Sequence, residues 1–147
     1  LYASGFWSMG RVLAIDVGTK RVGLALTDPL RITASPWGSL ARDEKLWEVI
    51  RELCEQEGVD LVVVGYVAND YYGTASQMVE DFLEVLRSRV ALPIVLQDES
   101  YSSVKAEAFI RHQKGKKRST REDRDSLAAT AILWEFLEEM ERKEKKS

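Results

Sequence analysis

The stretch Arg11-Val-Leu-Ala-Ile-Asp16-Val-Gly-Thr-Lys20-Arg-Val-Gly-Leu-Ala-Leu-Thr27 decides the fold. Two short aliphatic runs, residues 11–16 and 21–27, flank Val17-Gly18-Thr19-Lys20, which reads as a tight turn. So short a connection favours antiparallel pairing of two strands. By the period of two, Val12, Ala14 and Asp16 share one face of the first strand. A carboxylate therefore continues an apolar face at a sheet end, a place where ligands commonly bind. Asp16 can equally serve the turn by accepting local backbone N–H groups.

Working outward, residues 33–40 read as a third strand, and Pro36 and Gly38 make it an edge candidate. Leu46, Val49, Ile50 and Leu53 then follow a helical period, predicting a helix over 43–57 that ends at Gly58. Residues 61–65 (LVVVG) form a continuous apolar strand of the kind buried on both faces. Met78, Phe82, Val85 and Leu86 mark a second helix with Thr74 as its cap. Residues 93–96 read as another buried strand, and Ser102 or Ser103 caps a third helix running to about Gln113. Ala129, Ile132, Leu133, Phe136, Leu137 and Met140 mark the last helix, with Ser119 and Glu122 as a capping box before it. Three strands, helix, strand, helix, strand and two helices make an α/β protein, a mixed five-stranded sheet flanked by helices. That is the element order of the ribonuclease H-like fold.

At 147 residues with 45% hydrophobic content, the chain suits one domain, expected over residues 9–141. Cys54 has no partner, so there is no disulfide framework. No apolar run approaches the ~18 residues of a membrane span. Residues 1–8 (LYASGFWS) lack a positive n-region and an uninterrupted apolar core, so they do not read as a signal peptide. Met9 is the expected natural start, and 142–147 a charged tail that frays. A cytoplasmic location is the default expectation.

Two further acid positions match Asp16 in kind. Asp98 and Glu99 follow an apolar run; adjacent residues point in different directions, so one of them faces a site at that sheet end, unless the pair serves as a helix cap. Asp125 lies four residues before Ala129, on the same stripe as Ile132 and Phe136. An acid on an apolar stripe is costly unless it is ion-paired or binds a metal. Three hard carboxylates from separate elements suit Mg²⁺ or Mn²⁺ and not zinc. His112 and Cys54 are the only residues of their types, which excludes a His/Cys zinc cluster. No nucleophile motif accompanies His112 for a serine-hydrolase triad. Carboxylate-held metals that clamp attacking and leaving oxygens perform in-line phosphoryl transfer.

Charge is unevenly placed. The net charge is −3, yet Arg111, Lys114, Lys116, Lys117, Arg118 and Arg121 fall in one segment without an acid. Such a stretch binds phosphates by releasing counterions, or is a solvated loop between helices. Lys20 and Arg21 follow the Asp16 turn, where they contact a scissile phosphate or remain surface cations. Tyr71 and Tyr72 fall in an expected loop and can stack on unpaired bases. Trp134, flanked by helix-core residues, reads as packing.

The stretch from Asp16 to Leu30 resembles the opening of the YqgF family, a group of pre-16S ribosomal RNA nucleases and Holliday-junction-resolvase-like proteins. The resemblance continues in Leu61 to Gly65 with Asn69 and Gly73, in Asp98-Glu99, and in Arg124-Asp125-Ser-Leu-Ala-Ala129. It covers essentially residues 9–138. It implies a ribonuclease H-like fold and divalent-metal-dependent cleavage of nucleic-acid phosphodiesters, with trimming of the 5′ end of pre-16S ribosomal RNA as the role. By position it implies Asp16, Glu99 and Asp125 as catalytic acids and metal ligands, with Asp98 the second choice at its site. Two departures stand out. The loop after the fourth strand reads Gly65-Tyr-Val-Ala-Asn69-Asp-Tyr-Tyr-Gly73, without the family's proline and one residue longer, with Asp70 as the candidate loop acid. Ser100 stands where the family tends to have Arg, while Ser102 and Ser103 keep the hydroxyls.

The expected machine is then a nuclease with Asp16, Glu99 and Asp125 around one or two Mg²⁺ or Mn²⁺ ions. Lys20, Arg21, Lys114, Lys116, Lys117, Arg118 and Arg121 would hold the nucleic-acid backbone without reading its sequence. Expected partners are pre-rRNA or branched DNA and contacts on the ribosomal subunit, with no membrane; the oligomeric state is not legible. The rivals are a Holliday junction resolvase acting on four-way DNA and a non-catalytic nucleic-acid-binding module. A phosphotransferase is a further rival, because Asp-x-Gly-Thr also opens the phosphate loop of sugar kinases and actin-like ATPases. Those need a second domain closing over ATP.

Overall fold

The computed structural model describes residues 10–66, 74–99, 103–114 and 121–146, with side chains outside 74–76, 114, 121–123 and 146. The elements run β1 (Arg11–Val17), β2 (Arg21–Thr27), β3 (Ala34–Ala41), α1 (Leu46–Glu57), β4 (Val59–Tyr66), α2 (Thr74–Arg89), β5 (Ile94–Asp98), α3 (Val104–Lys114) and α4 (Arg121–Lys146). This is the order expected from the sequence. The sheet order is β3-β2-β1-β4-β5. The first three strands form an antiparallel meander, and β4 and β5 run parallel to β1 and to each other. β3 takes the edge, as Pro36 and Gly38 suggest.

Alternation along the strands divides the core into two layers. Leu13, Ile15 and Val17 of β1, with Val22, Leu24 and Leu26 of β2 and Val62 and Val64 of β4, face α1 and α2. There they pack on Leu46, Ile50, Leu53, Phe82, Leu83 and Leu86. Cys54 is buried in this layer, and burial pushes its thiol up to about 11, so it acts as a small hydrophobe. Val12, Ala14, Ala25 and Val63 face α4, under Ala129, Ile132, Leu133 and Phe136. Val62, Val63 and Val64 are all fully buried, as a strand covered on both faces requires.

Local chemistry sets the boundaries. α1 ends at Gly58, whose left-handed φ of 67° suits a residue without a β-carbon. Its start is three residues later than the periodicity suggests. The Leu46 N–H donates to the Asp43 carbonyl and the Lys45 N–H to Asp43 Oδ1, so residues 43–45 make a turn ahead of the helix. Ser103 caps α3, its Oγ accepting the Ala106 N–H at 3.0 Å. Ser102, Ser119 and the side chains of Thr74 and Glu122 lie outside the described residues.

One expectation fails. Residues 93–96 are not a buried strand. Among the described residues β5 closes the sheet with no neighbour beyond it, and Val95 and Leu96 stay 36% and 44% exposed. They line a groove of about 700 Å³ with Phe136 and Met140 of α4. Among the described residues no helix is long and apolar enough to cross a membrane.

Candidate active site

The carboxyl ends of β1, β4 and β5 and the first turns of α4 meet on one face. Asp16 is the next-to-last residue of β1. Glu99 follows β5, fixed by its N–H donating to the Tyr66 carbonyl at 2.8 Å. Asp125 enters from the second turn of α4. Asp16 is hydrogen-bonded to the Glu99 side chain and lies within electrostatic reach of Asp125. The three acids singled out in the sequence thus converge from three separate elements.

Two glycines create the room. Asp16 pairs with Gly23 across β1 and β2, and Gly23 with Ser39 across β2 and β3, so the three form one row facing α4. A β-carbon at Gly23 would lie 1.9 Å from the Asp125 carbonyl oxygen, so the α4 backbone rests directly on the strand there. One residue beyond the Ile15–Val64 pair, Gly65 does the same for Glu99: a β-carbon would lie 2.9 Å from Glu99 Oε1 and 2.3 Å from Ile132 Cδ1.

The crowding of negative charge is visible in Asp16. Burial first, then the charge of Glu99 and its hydrogen bond, then the charge of Asp125, raise its carboxyl from 3.8 to about 7. Near neutral pH the Asp16 carboxyl still holds a proton part of the time, and a cation can take that proton's place. Asp125 is held on its other side. Its Oδ2 accepts a hydrogen bond from Ser39 Oγ at 3.0 Å and lies 3.6 Å from Arg21 Nε. Of the two sequence readings of Asp125, the ion pair is the one seen, and the same carboxylate also lies within electrostatic reach of Asp16. With Asp125 drawn toward β3, no three such side chains among the described residues close on one point as a ready-made metal cage. The donors nonetheless suit a hard divalent cation in type and charge: oxygen ligands only, one of them protonated for want of a counter-charge.

The remaining candidates divide. Asp98 is not brought to the trio; it pairs with Tyr66 and lines the groove beside β5. Lys20 is exposed in the β1–β2 turn, its carbonyl accepting the Arg42 N–H at 2.9 Å. Arg21 turns inward, Nε donating to Ser39 Oγ at 2.9 Å. Arg111 pairs with Glu107 on α3. Lys116, Lys117 and Arg118, and the side chains of Lys114 and Arg121, lie outside the described residues, as do Asn69, Asp70, Tyr71, Tyr72 and Ser100. In sequence, residues 115–120 join α3 to α4, and α4 begins one turn before Asp125. Trp134 packs against the α4-side core, as its neighbours suggest. Ser39 and the two site glycines are additions that the acid pattern did not reveal. A glycine inside an apolar strand is the signal that finds the latter.

The likeness to solved structures supports the ribonuclease H-like fold. RuvC of Thermus thermophilus, solved with a Holliday junction substrate, matches with a TM-score of 0.63 at 15% identity over 89% of this chain and 96% of that one. The fowlpox virus Holliday junction resolvase matches with a TM-score of 0.50 at 18% identity over 88% of this chain and 99% of that one. Relatives in Chlorobium luteolum and Salinibacter ruber carry the name "Putative pre-16S rRNA nuclease". They are 42% identical over 88% of this chain and 95% of that one, and 39% identical over 88% and 94%. The family model described as "RuvX: Holliday junction resolvase" matches residues 10–139. The resemblance seen in the sequence is borne out, and the chain belongs to the RuvX family.

Proposed function

We propose that this chain is a divalent-metal-dependent endonuclease that acts on structured RNA, trimming the 5′ end of pre-16S ribosomal RNA, with residues 9–141 as the nuclease unit. The observation that carries the reading is the meeting of Asp16, Glu99 and Asp125 at one sheet end, with the Asp16 carboxyl raised to about 7. The relatives' shared name supports the substrate. Asp16, Glu99 and Asp125 would hold Mg²⁺ or Mn²⁺. Bound there, the ion supplies Lewis acidity for in-line attack of water at phosphorus. Asp16 would give up its proton as the site fills, since an opposite charge favours its ionised form. Glu99 and Asp125 hold their charges in fixed positions, set by Gly65 and Gly23. Lys20, at the exposed turn, and the cationic segment ahead of α4 steady the phosphate backbone without reading bases. A cytoplasmic location and contact with ribosomal subunits belong to the same reading.

A second reading has its own support. The family description and the fold likeness to RuvC both point to four-way DNA. Junction resolution would need two copies presenting two sites.

The test is cleavage of labelled single-stranded RNA and of a four-way junction with Mg²⁺, Mn²⁺ or EDTA, beside Asp16→Asn and Asp125→Asn. We expect RNA cleavage that needs metal and falls on the order of a hundredfold or more in either variant. Junction cleavage alone moves the reading to a resolvase. Metal-independent binding with no cleavage of either substrate replaces it with a binding module.

A further inference from the structure

We propose that Ser39 is a positioning residue for the reaction: its hydroxyl, held between Arg21 and Asp125, fixes which Asp125 oxygen is presented to the acid trio. The inference rests on the nuclease reading, and it concerns a residue of the sheet edge that no acid motif contains.

The hydroxyl has no choice of direction. Arg21 Nε–H can only donate, and an ionised Asp125 can only accept. Ser39 Oγ therefore accepts from Arg21 at 2.9 Å and donates its own O–H to Asp125 Oδ2 at 3.0 Å. The direct Arg21–Asp125 separation of 3.6 Å is an ion pair too long for a hydrogen bond, so Ser39 is the link that makes the contact directional. Oδ2 is thereby committed to the β3 side. Oδ1 has no hydrogen-bond partner among the described residues, and the carboxylate lies within electrostatic reach of Asp16.

The edge strand is built to deliver this hydroxyl. In the β2–β3 ladder Ala25 pairs with Pro36, but Leu24 pairs with Gly38, so Trp37 is an inserted bulge residue. Strand faces alternate with a period of two, so one inserted residue reverses the faces of all that follow. Without the bulge, Ser39 would point to the α1–α2 side. With it, Ser39 stands opposite Gly23 on the α4 face, level with Asp16. Gly38 absorbs the irregularity with a φ of 153°, a conformation side chains rarely adopt. Gly23, bare between them, leaves space for Asp125 to sit between Asp16 and Ser39. A bulge, a glycine and a directional hydroxyl all serve the same carboxylate.

The test compares Ser39→Ala and Ser39→Thr in the full chain. Mn²⁺ affinity is measured by calorimetry, kcat and KM on single-stranded RNA by cleavage, and melting temperature as a control. For Ser39→Ala we expect Mn²⁺ affinity and kcat each to fall about tenfold, the loss of one hydrogen bond to a charged group. KM should stay within about twofold, since phosphate contacts elsewhere are untouched. Ser39→Thr, which keeps the hydroxyl, should recover most of both losses. Unchanged Mn²⁺ affinity in Ser39→Ala overturns the proposal, as does a drop in melting temperature alone, or an Ala and a Thr variant that behave alike. Should Ser39→Ala fail to fold, Ser39→Cys, a near-isosteric weak donor, is read by the same criteria. Wild type that binds Mn²⁺ but cleaves neither RNA nor junction defeats the nuclease reading, while the titration still judges Ser39. Wild type that binds no Mn²⁺ overturns both.

Discussion

On the face of the sheet under α1 and α2, β1 and β2 contribute Leu13, Ile15, Val17, Val22, Leu24 and Leu26. On the α4 face the alternate positions of the same strands are Val12, Ala14, Asp16, Gly23 and Ala25. The same two strands therefore carry a bulky layer on one side and a thin one on the other. The bulky layer keeps its helices at side-chain distance and removes apolar area from water. The thin layer lets α4 descend until its backbone touches β2 at Gly23. Only that approach brings an α4 carboxylate to the end of β1. One face supplies cohesion, and the other gives up apolar contact to place three like charges together.

The largest separation between the faces should appear at Phe82. Its ring is 1% exposed, with Trp47 4.9 Å away and the Arg42 guanidinium 5.6 Å from its centroid. Phe82→Ala should lower stability by about 3–5 kcal/mol in chemical denaturation. The fraction that remains folded should still cleave, because no atom of the acid trio leans on this ring. Equal loss of activity per folded molecule would show that the two layers are not independent.

Gly23→Ala is the converse test. A single methyl would meet the Asp125 carbonyl at 1.9 Å, a contact that no rotamer change relieves. α4 must move outward, and Asp125 with it. A displacement near 1 Å at a reacting constellation costs about a hundredfold in rate. We expect kcat to fall by that order, with the far face still intact by hydrogen exchange at Leu83 and Leu86. Retained activity would mean that α4 need not touch β2 for catalysis.

Periodicity exposed most of this design and missed what depends on neighbours in space. Asp16 and Asp125 were legible because each interrupts an apolar stripe whose period was unmistakable. Of Asp98 and Glu99 the alternation could say only that one faces the site; the ladder with Tyr66 decides for Glu99. Val95 and Leu96 were misread because an apolar strand looks the same whether covered or at a sheet edge. That difference is made by the place of β5 at the end of the sheet, with no strand beyond it among the described residues. Ser39 was illegible because its face depends on a bulge at Trp37, and a bulge is a property of a strand pair.

A third comparison sets the site against the pH of the medium. Asp16 titrates at about 7 in the folded chain, above its ordinary 3.8. Between those values the folded state binds a proton that the unfolded chain has released. Asp16's contribution to stability is therefore present at low pH and is lost as pH rises toward 7 and beyond. At pH 8 in EDTA, Asp16→Asn should be more stable than wild type by on the order of 2–4 kcal/mol, and near pH 4 the two should agree. Added Mn²⁺ should stabilise wild type and not the variant, narrowing or reversing the order. A variant that is less stable than wild type at pH 8 in EDTA would mean that the acids are not in conflict.

The smallest effect belongs to a large side chain on the thin face. Trp134 packs against the α4-side cluster, yet its indole Nε1 is buried without a hydrogen-bond partner among the described residues. An unmet buried donor costs about 1–3 kcal/mol, and replacing it with an apolar group of similar shape removes that cost. Trp134→Phe also forfeits part of the ring's packing, which works in the opposite direction. The two contributions nearly cancel, so we expect a change within about 1 kcal/mol of either sign and unaltered cleavage. A loss of several kcal/mol would show that the indole N–H has an acceptor after all, and that the α4 face depends on polar contacts farther from the acids than Ser39.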